Sequence, residues 1–228
     1  MNEMIFLFYI LVLSSAALFA LSQGKEALIA FICLITVLMN LFVLKQIRLF
    51  SFTATASDAL AVSATLSLNL LQEYYNKQTA LWAIWLSFCG AIFYTLISLL
   101  HLSYAPAVTD CSQEAFIALL NPMPRIIIAS LASYLIAQYI DTYLYSYFKK
   151  YTQGRYFILR NYGSLAISQL FDTVLFAIIG LYKLNESFNS IFTIVDIILV
   201  SYSIKLIAIG IAVPYVRLAR TLKVFQPS

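Results

Sequence analysis

The chain has 228 residues, of which 62% are apolar and 11% charged, with 17 Phe, 16 Tyr and a net charge of +4; its mean hydropathy is +0.89. Water-soluble domains run at about 45–50% apolar and about 25% charged, so a soluble globular fold is excluded. About 20 apolar residues are needed per crossing of the hydrocarbon core, so this length holds six or seven spans and leaves no room for a separate extramembrane domain.

Met4 to Ser22 is an unbroken apolar run closed by Gln23, Gly24, Lys25 and Glu26. A cleaved signal peptide needs a basic start, and here the first residues carry only Glu3, so a retained helix is expected. Ala27 to Leu44 is the second run. The third, Ala54 to Leu71, is studded with Thr55, Ser57, Asp58, Ser63, Thr65, Ser67 and Asn69, and is too polar to face lipid. Thr79 to Leu100 makes the fourth span, with Trp82 and Trp85 near one end and Tyr104 beyond the other, as interfacial anchors are placed. Ser103 to Pro122 is the longest break. The fifth span, Pro124 to Tyr147, ends among Tyr143, Tyr145, Tyr147, Lys149 and Lys150; the sixth runs from Tyr156 to Leu184 and the seventh from Phe188 to Val216, where Pro214 loosens the last turn. The expected fold is an all-α polytopic membrane bundle of six to seven transmembrane helices. Residues 1–228 read as a single membrane domain, with 4–22 as an added N-terminal helix and 27–216 as the core.

Seven spans put Lys25, Lys77, Lys149, Lys150, Arg155, Arg217, Arg220 and Lys223 on one side and Lys45, Arg48 and Lys183 on the other. The positive-inside rule makes the first side cytoplasmic, with the C-terminus inside a multi-pass protein of the cell (inner) membrane. If the third segment is re-entrant, Lys149 and Arg217 still share a side. The basic residues thus belong to loops and no nucleic-acid partner is expected. Cys33, Cys89 and Cys111 have no CxxC spacing and His101 stands alone, which argues against a metal site; no cofactor is expected. No Walker motif, GxSxG or HExxH is present, so no nucleotide-driven or hydrolytic engine is visible.

A charge at the bilayer centre costs about 2.5–3.5 kcal/mol on insertion scales, so each intramembrane ionisable group is a site candidate. On the fifth span Ser130, Tyr134, Gln138, Asp141 and Tyr145 recur every three or four residues, which a helix of 3.6 residues per turn stacks into one stripe. On the sixth, Asn161, Ser168 and Asp172 align, with Gln169 one step aside. Two such stripes read as the walls of a cavity, or as interhelical glue, which accounts best for Ser130, Ser164 and Ser168. Asp141 and Asp172 read as functional, because a carboxylate is poor glue. Lys205 is too central in the seventh span to snorkel and needs a carboxylate, with Asp141 or Asp172 nearest in sequence, or an anionic or carbonyl-bearing ligand. Arg125 and Arg160 sit near helix starts, where Arg160 is expected to snorkel beside the basic loop. Asp196 faces away from Lys205 on an ideal helix. Carboxylates, carboxamides, one lysine and many rings suit a small, flat, hydrogen-bonding heterocycle.

These residues resemble the queuosine precursor transporters, a family grouped with vitamin uptake transporters. The likeness runs from Ile29 to Tyr215 and includes Thr55-Ala56-Ser57-Asp58-Ala59 and Asn69-Leu-Leu-Gln-Glu-Tyr-Tyr-Asn76, where the family has Asp, three residues, Glu, one residue, Tyr-Gly. It continues with Arg125-Ile126, Ser130, Tyr134, Gln138, Asp141, Arg160-Asn161, Ser164, Ser168, Gln169, Asp172-Thr173, Lys205 and Pro214-Tyr215. Asn69 replaces the family's Asp and keeps the hydrogen bonding without the charge; Asn76 replaces its Gly and tolerates a left-handed turn. The resemblance implies uptake of a deazapurine substrate, either queuine or the cyano or aminomethyl 7-deazaguanine bases, for salvage into tRNA modification. It implies substrate contacts at Asn69, Glu73, Arg125, Tyr134, Gln138, Asp141, Gln169, Asp172 and Lys205, with Asp58 as a coupling group. The partners expected are thus the small-molecule substrate and the lipid bilayer; a homodimer or an ATP-driven coupling module stays open. So do two other readings: a substrate-binding subunit of an ATP-driven vitamin importer, and an intramembrane aspartyl protease built on Asp141-Thr142 and Asp172-Thr173. Against the protease, Asp172 follows Leu170-Phe171 and no Gly-x-Gly precedes it.

Overall fold

The computed structural model describes residues 1–43, 45–49, 52–120, 124–183 and 190–220. In chain order these are α1 (Asn2–Ser22), α2 (Lys25–Phe42), the strands β1 (Gln46–Leu49) and β2 (Phe52–Thr55), α3 (Asp58–Tyr74), α4 (Lys77–Leu102), α5 (Gln113–Leu120), α6 (Pro124–Tyr151), α7 (Phe157–Phe176) with a π-helical turn (Ala177–Leu181), and α8 (Ile191–Arg220). Among the described residues, six helices are long and apolar enough to cross a membrane, namely α1, α2, α4, α6, α7 with its π-helical turn, and α8. The protein is a polytopic helical membrane bundle. Its outer surface carries Phe8, Phe19, Trp82, Phe93, Ile128, Leu159 and Leu199 in exposed positions, as a lipid-facing surface requires.

The third segment is where the structure departs most from the sequence expectation. The run from Ala54 is not helical at its start: β2 ends at Thr55 and pairs antiparallel with β1, Gln46 opposite Thr55 and Leu49 opposite Phe52. The helix begins only at Asp58 and has 17 residues, which at 1.5 Å per residue is about 25 Å, short of a full hydrocarbon core. Every residue of α3 from Asp58 to Gln72 is buried, because α1, α2, α4, α6, α7 and α8 all pack around it. A helix sheathed on all sides by protein has no need of an apolar face, which is why Ser63, Thr65, Ser67, Asn69 and Gln72 are tolerated at membrane depth.

Other boundaries shift in smaller ways. The break from Ser103 to Pro122 contains the short helix α5; Pro122 itself, like Leu184, Phe188 and Lys223 at other expected boundaries, lies outside the described residues. The helix α8 continues through Pro214 to Arg220 instead of loosening there. At the α6–α7 contact small residues allow close approach: a Cβ on Gly163 would lie 3.0 Å from the Phe148 ring, and one on Gly180 the same distance from Ala129 Cβ.

The up-and-down course gives the bundle two ends. At one lie the start of α1, the β-hairpin, the α4–α6 connection including α5, and the π-helical turn; Asn2 Nδ2 donates to Arg48 O there, at 3.0 Å. At the other lie the α1–α2 turn, the α3–α4 turn, the α6–α7 turn and the end of α8. We call these the hairpin end and the basic end.

Candidate functional site

A cavity of about 430 Å³ occupies the half of the bundle nearest the hairpin end, within the range of small-molecule sites. Gln46 and Thr55 of the hairpin, Ile126 and Ser130 of α6, Phe176 and Leu181 near the end of α7, and Ile197 and Ser201 of α8 line its upper part. Asp58, Asp172, Thr173 and Lys205 form its charged wall. A larger, shallower groove of about 580 Å³ between α2 and α4 is lined by Lys25, Glu26 and Trp82; its charged groups are exposed, so it lacks the buried polar chemistry of a site.

The charged wall is assembled from three helices. Lys205 Nζ donates to Asp172 Oδ2 at 2.6 Å and to Thr173 Oγ1 at 3.1 Å, and lies 4.0 Å from Asp58 Oδ1. Ser201 Oγ donates to the Asp58 carboxylate at 3.2 Å. Lys205 and Asp58 are each 4% exposed, whereas the Asp172 side chain is 20% exposed and faces the cavity. The expectation that Lys205 needs a carboxylate is met by Asp172, with Asp58 as a second partner. Asp196 is exposed and takes no part.

Toward the basic end the cavity gives way to a closed file of polar groups between α3, α6 and α7. Gln138 Nε2 and Gln169 Nε2 both donate to Thr65 Oγ1, at 3.0 and 2.9 Å. One turn further, Asn69 Nδ2 donates to Ser164 Oγ at 3.2 Å and Ser168 Oγ to Asp141 Oδ1 at 3.1 Å. Gln72 Nε2 then donates to Ser146 Oγ and Thr142 O. The carbonyl oxygens of Asn69, Gln138 and Gln169 are buried without a protein partner, which normally costs about 1–3 kcal/mol each.

At the basic end the file closes on Glu73. Arg160 Nη2 lies 2.9 Å from Glu73 Oε1, Lys149 Nζ 3.0 Å from Oε2, and Tyr145 Oη donates to Oε2 at 3.0 Å. The Tyr145 ring is 5.5 Å from the Arg160 guanidinium. Arg160 therefore does not snorkel: it is 1% exposed, drawn inward because α3 ends with a carboxylate at its level.

Of the residues expected to meet substrate, Asp172 and Lys205 line the cavity, with Asp58 beside them. Asn69, Gln138, Asp141 and Gln169 lie in the closed file, and Glu73 in the cluster at the basic end. Tyr134 is buried outside both, its Oη 2.8 Å from Ser87 Oγ and 3.2 Å from Thr36 Oγ1, and Ser130 Oγ donates to Asn40 Oδ1. Arg125 is exposed at the hairpin end, where Nε donates to Ile179 O at 2.7 Å and Nη2 to Tyr182 O at 2.5 Å, holding carbonyls that the π-helical turn leaves free. Sequence reading missed Thr65 as the shared acceptor of two glutamines; its place seven residues after Asp58 on one helix face was the available signal. The two aspartates of the protease reading are engaged separately, Asp172 by a lysine and Asp141 by Ser168. A carboxylate held by an ammonium is not half of a shared-proton dyad, and that reading is without support.

A family profile described as "Putative vitamin uptake transporter" matches residues 55–219, which takes in the polar file and all of the cavity lining except Met39, Val43 and Gln46. The chain belongs to this family. It is also 32% identical, over 207 residues, to the "Probable queuosine precursor transporter" of Bacillus subtilis (strain 168), covering 89% of this chain and 87% of that protein. That alignment is longer than the family profile by some forty residues, so the likeness extends into the N-terminal helices. No solved structure matches the chain significantly.

Proposed function

We propose that the protein imports queuosine precursors, flat 7-deazaguanine bases, by alternating access across the cell membrane. The relative's name supplies the substrate class, and the observation that carries the reading is the buried Lys205–Asp172–Asp58 group on the wall of a cavity of about 430 Å³. Buried charges at membrane depth are costly and mark substrate or ion pathways. A base enters from the cavity and meets Asp172, then the carbonyl oxygens of Gln138, Gln169 and Asn69. These suit the ring N–H and amino donors of a guanine-like edge, while Asp141 offers a carboxylate to the same edge. Asp58 is the coupling group in this scheme and Glu73 belongs to the closed end.

The basic end carries Lys25, Lys77, Lys149, Lys150, Arg155 and Arg217 among the described residues, against Lys45, Arg48, Arg125 and Lys183 at the hairpin end. Under the positive-inside rule this asymmetry supports a cytoplasmic basic end and C-terminal end of α8, with the cavity toward the outer side of the inner membrane. Cys111, exposed in the connection before α5, is expected to react with a membrane-impermeant maleimide in intact cells. Labelling of Cys111 only after permeabilisation would reverse the orientation.

Uptake is tested in cells lacking their own transporter and precursor synthesis, read out as queuosine in tRNA. Expression of the protein is expected to restore incorporation from supplied base, and Asp172→Asn to reduce it at least about tenfold while the protein still reaches the membrane, since a charged hydrogen-bond partner is lost. Full incorporation with Asp172→Asn would remove Asp172 from the substrate path.

A further inference from the structure

The ionisable groups lining the cavity do not balance. By formal charge, Asp58 and Asp172 are two carboxylates against the single ammonium of Lys205, and every other lining residue is uncharged. The excess negative charge sits among apolar walls, including Met39, Val43, Ile126, Phe176 and Ile197, where field lines are focused and screening is weak. Geometry directs it further. Lys205 and Asp58 line the cavity with side chains only 5% exposed, whereas the Asp172 side chain is 20% exposed. Lys205 holds Asp172 through Oδ2, and no hydrogen bond to Oδ1 is found among the described residues. Any ligand in the cavity therefore meets a carboxylate oxygen that is accessible, directed by a fixed ion pair, and part of a group with net negative charge.

From this we infer that the cavity discriminates among 7-deazaguanine bases by charge, preferring one whose 7-substituent carries a protonated amine over one with a neutral nitrile. The inference rests on the proposed function and sharpens it. An ammonium on a short arm neutralises the excess charge and donates to Asp172 Oδ1, leaving the flat base free for the apolar walls and the Phe176 ring. A nitrile carries no donor, so it leaves the group's charge uncompensated and displaces the water that solvates it. Charged contacts of this kind separate otherwise similar ligands mainly when they are desolvated, and Asp172 is four-fifths buried.

The test uses the full-length protein in proteoliposomes and three ligands: the aminomethyl base, the cyano base, and the aminomethyl base with its amine acetylated, which keeps the arm but removes the charge. Concentration dependences of uptake are compared at one pH. The expected result is a half-saturating concentration for the amine about tenfold or more below those of both neutral bases. Asp58→Asn, which balances the wall at one carboxylate and one ammonium but removes the proposed coupling group, is compared by equilibrium binding to the detergent-solubilised protein, where it is expected to shrink the ratio to within about threefold, chiefly by weakening the amine. Comparison of the three ligands on the unsubstituted protein stands even if Asp58→Asn does not fold. Equal half-saturation for all three would overturn the inference and leave the carrier reading intact, whereas uptake of none of them would overturn both.

Discussion

Lys205→Met is expected to destabilise the protein by about 3–5 kcal/mol, the usual consequence of removing one partner from a buried charge group. Methionine fills nearly the same volume, so little of the loss would come from packing. What remains is Asp58, 4% exposed, and Asp172, two carboxylates without the cation that lies 4.0 and 2.6 Å from them. The single variant should therefore be much worse than the double variant Lys205→Met with Asp172→Asn, in which only one carboxylate is left uncompensated. Unfolding in a mild detergent, compared across the two single variants and the double, measures the coupling as a cycle. Equal unfolding midpoints for wild type and Lys205→Met would mean that the group contributes nothing to stability.

The second large effect is expected at the basic end and should be unequal between the partners. Glu73→Ala strands Arg160, which is 1% exposed and has Nε and Nη1 already without a partner; its loss should cost about 3–5 kcal/mol. Arg160→Met leaves Glu73, 15% exposed, still paired with Lys149 and Tyr145, and should cost about 1–3 kcal/mol, closer to the loss of one charged hydrogen bond. The order of the two variants in a detergent unfolding series checks this, and a reversed order would show that the carboxylate is well solvated without Arg160. Under the carrier reading this cluster is also the contact that must part for substrate to leave, since it ties α3, α6 and α7 together opposite the cavity.

How far the sequence could be read depended on whether a feature was local. The stripe Ser130, Tyr134, Gln138, Asp141, Tyr145 follows from helical spacing alone, and each member does find an inward partner, at Asn40, Ser87, Thr65, Ser168 and Glu73 respectively. Those partners come from four other helices, and no spacing rule could name them. The same limit explains Arg160. Beside a basic loop, snorkelling is the cheapest local solution, and only the tertiary fact that Glu73 ends at the same level makes burial better. Spacing also suggested a single cavity, whereas the stripe is divided: Ser130 reaches the cavity, Tyr134 packs outside it, Gln138 and Asp141 lie in the closed file and Tyr145 belongs to the Glu73 cluster. The hairpin was missed because four-residue strands with Arg48 and Gln46 in them carry too little alternation to be separated from a polar helix start.

The composition of α3 has a consequence for how the protein is made. Insertion of a segment into the bilayer as it leaves the ribosome depends on its own apolarity, and a run with an aspartate, an asparagine and several hydroxyls meets an unfavourable threshold by itself. Asp58, Thr65 and Asn69 meet their partners on other helices only once α6, α7 and α8 are in place around α3, and those helices are synthesised last. During biosynthesis α3 therefore depends on α2 and α4, its apolar neighbours in sequence, to carry it into the membrane as a hairpin partner. A substitution weakening either neighbour would appear first as a topology defect of α3, well before any effect on the finished bundle.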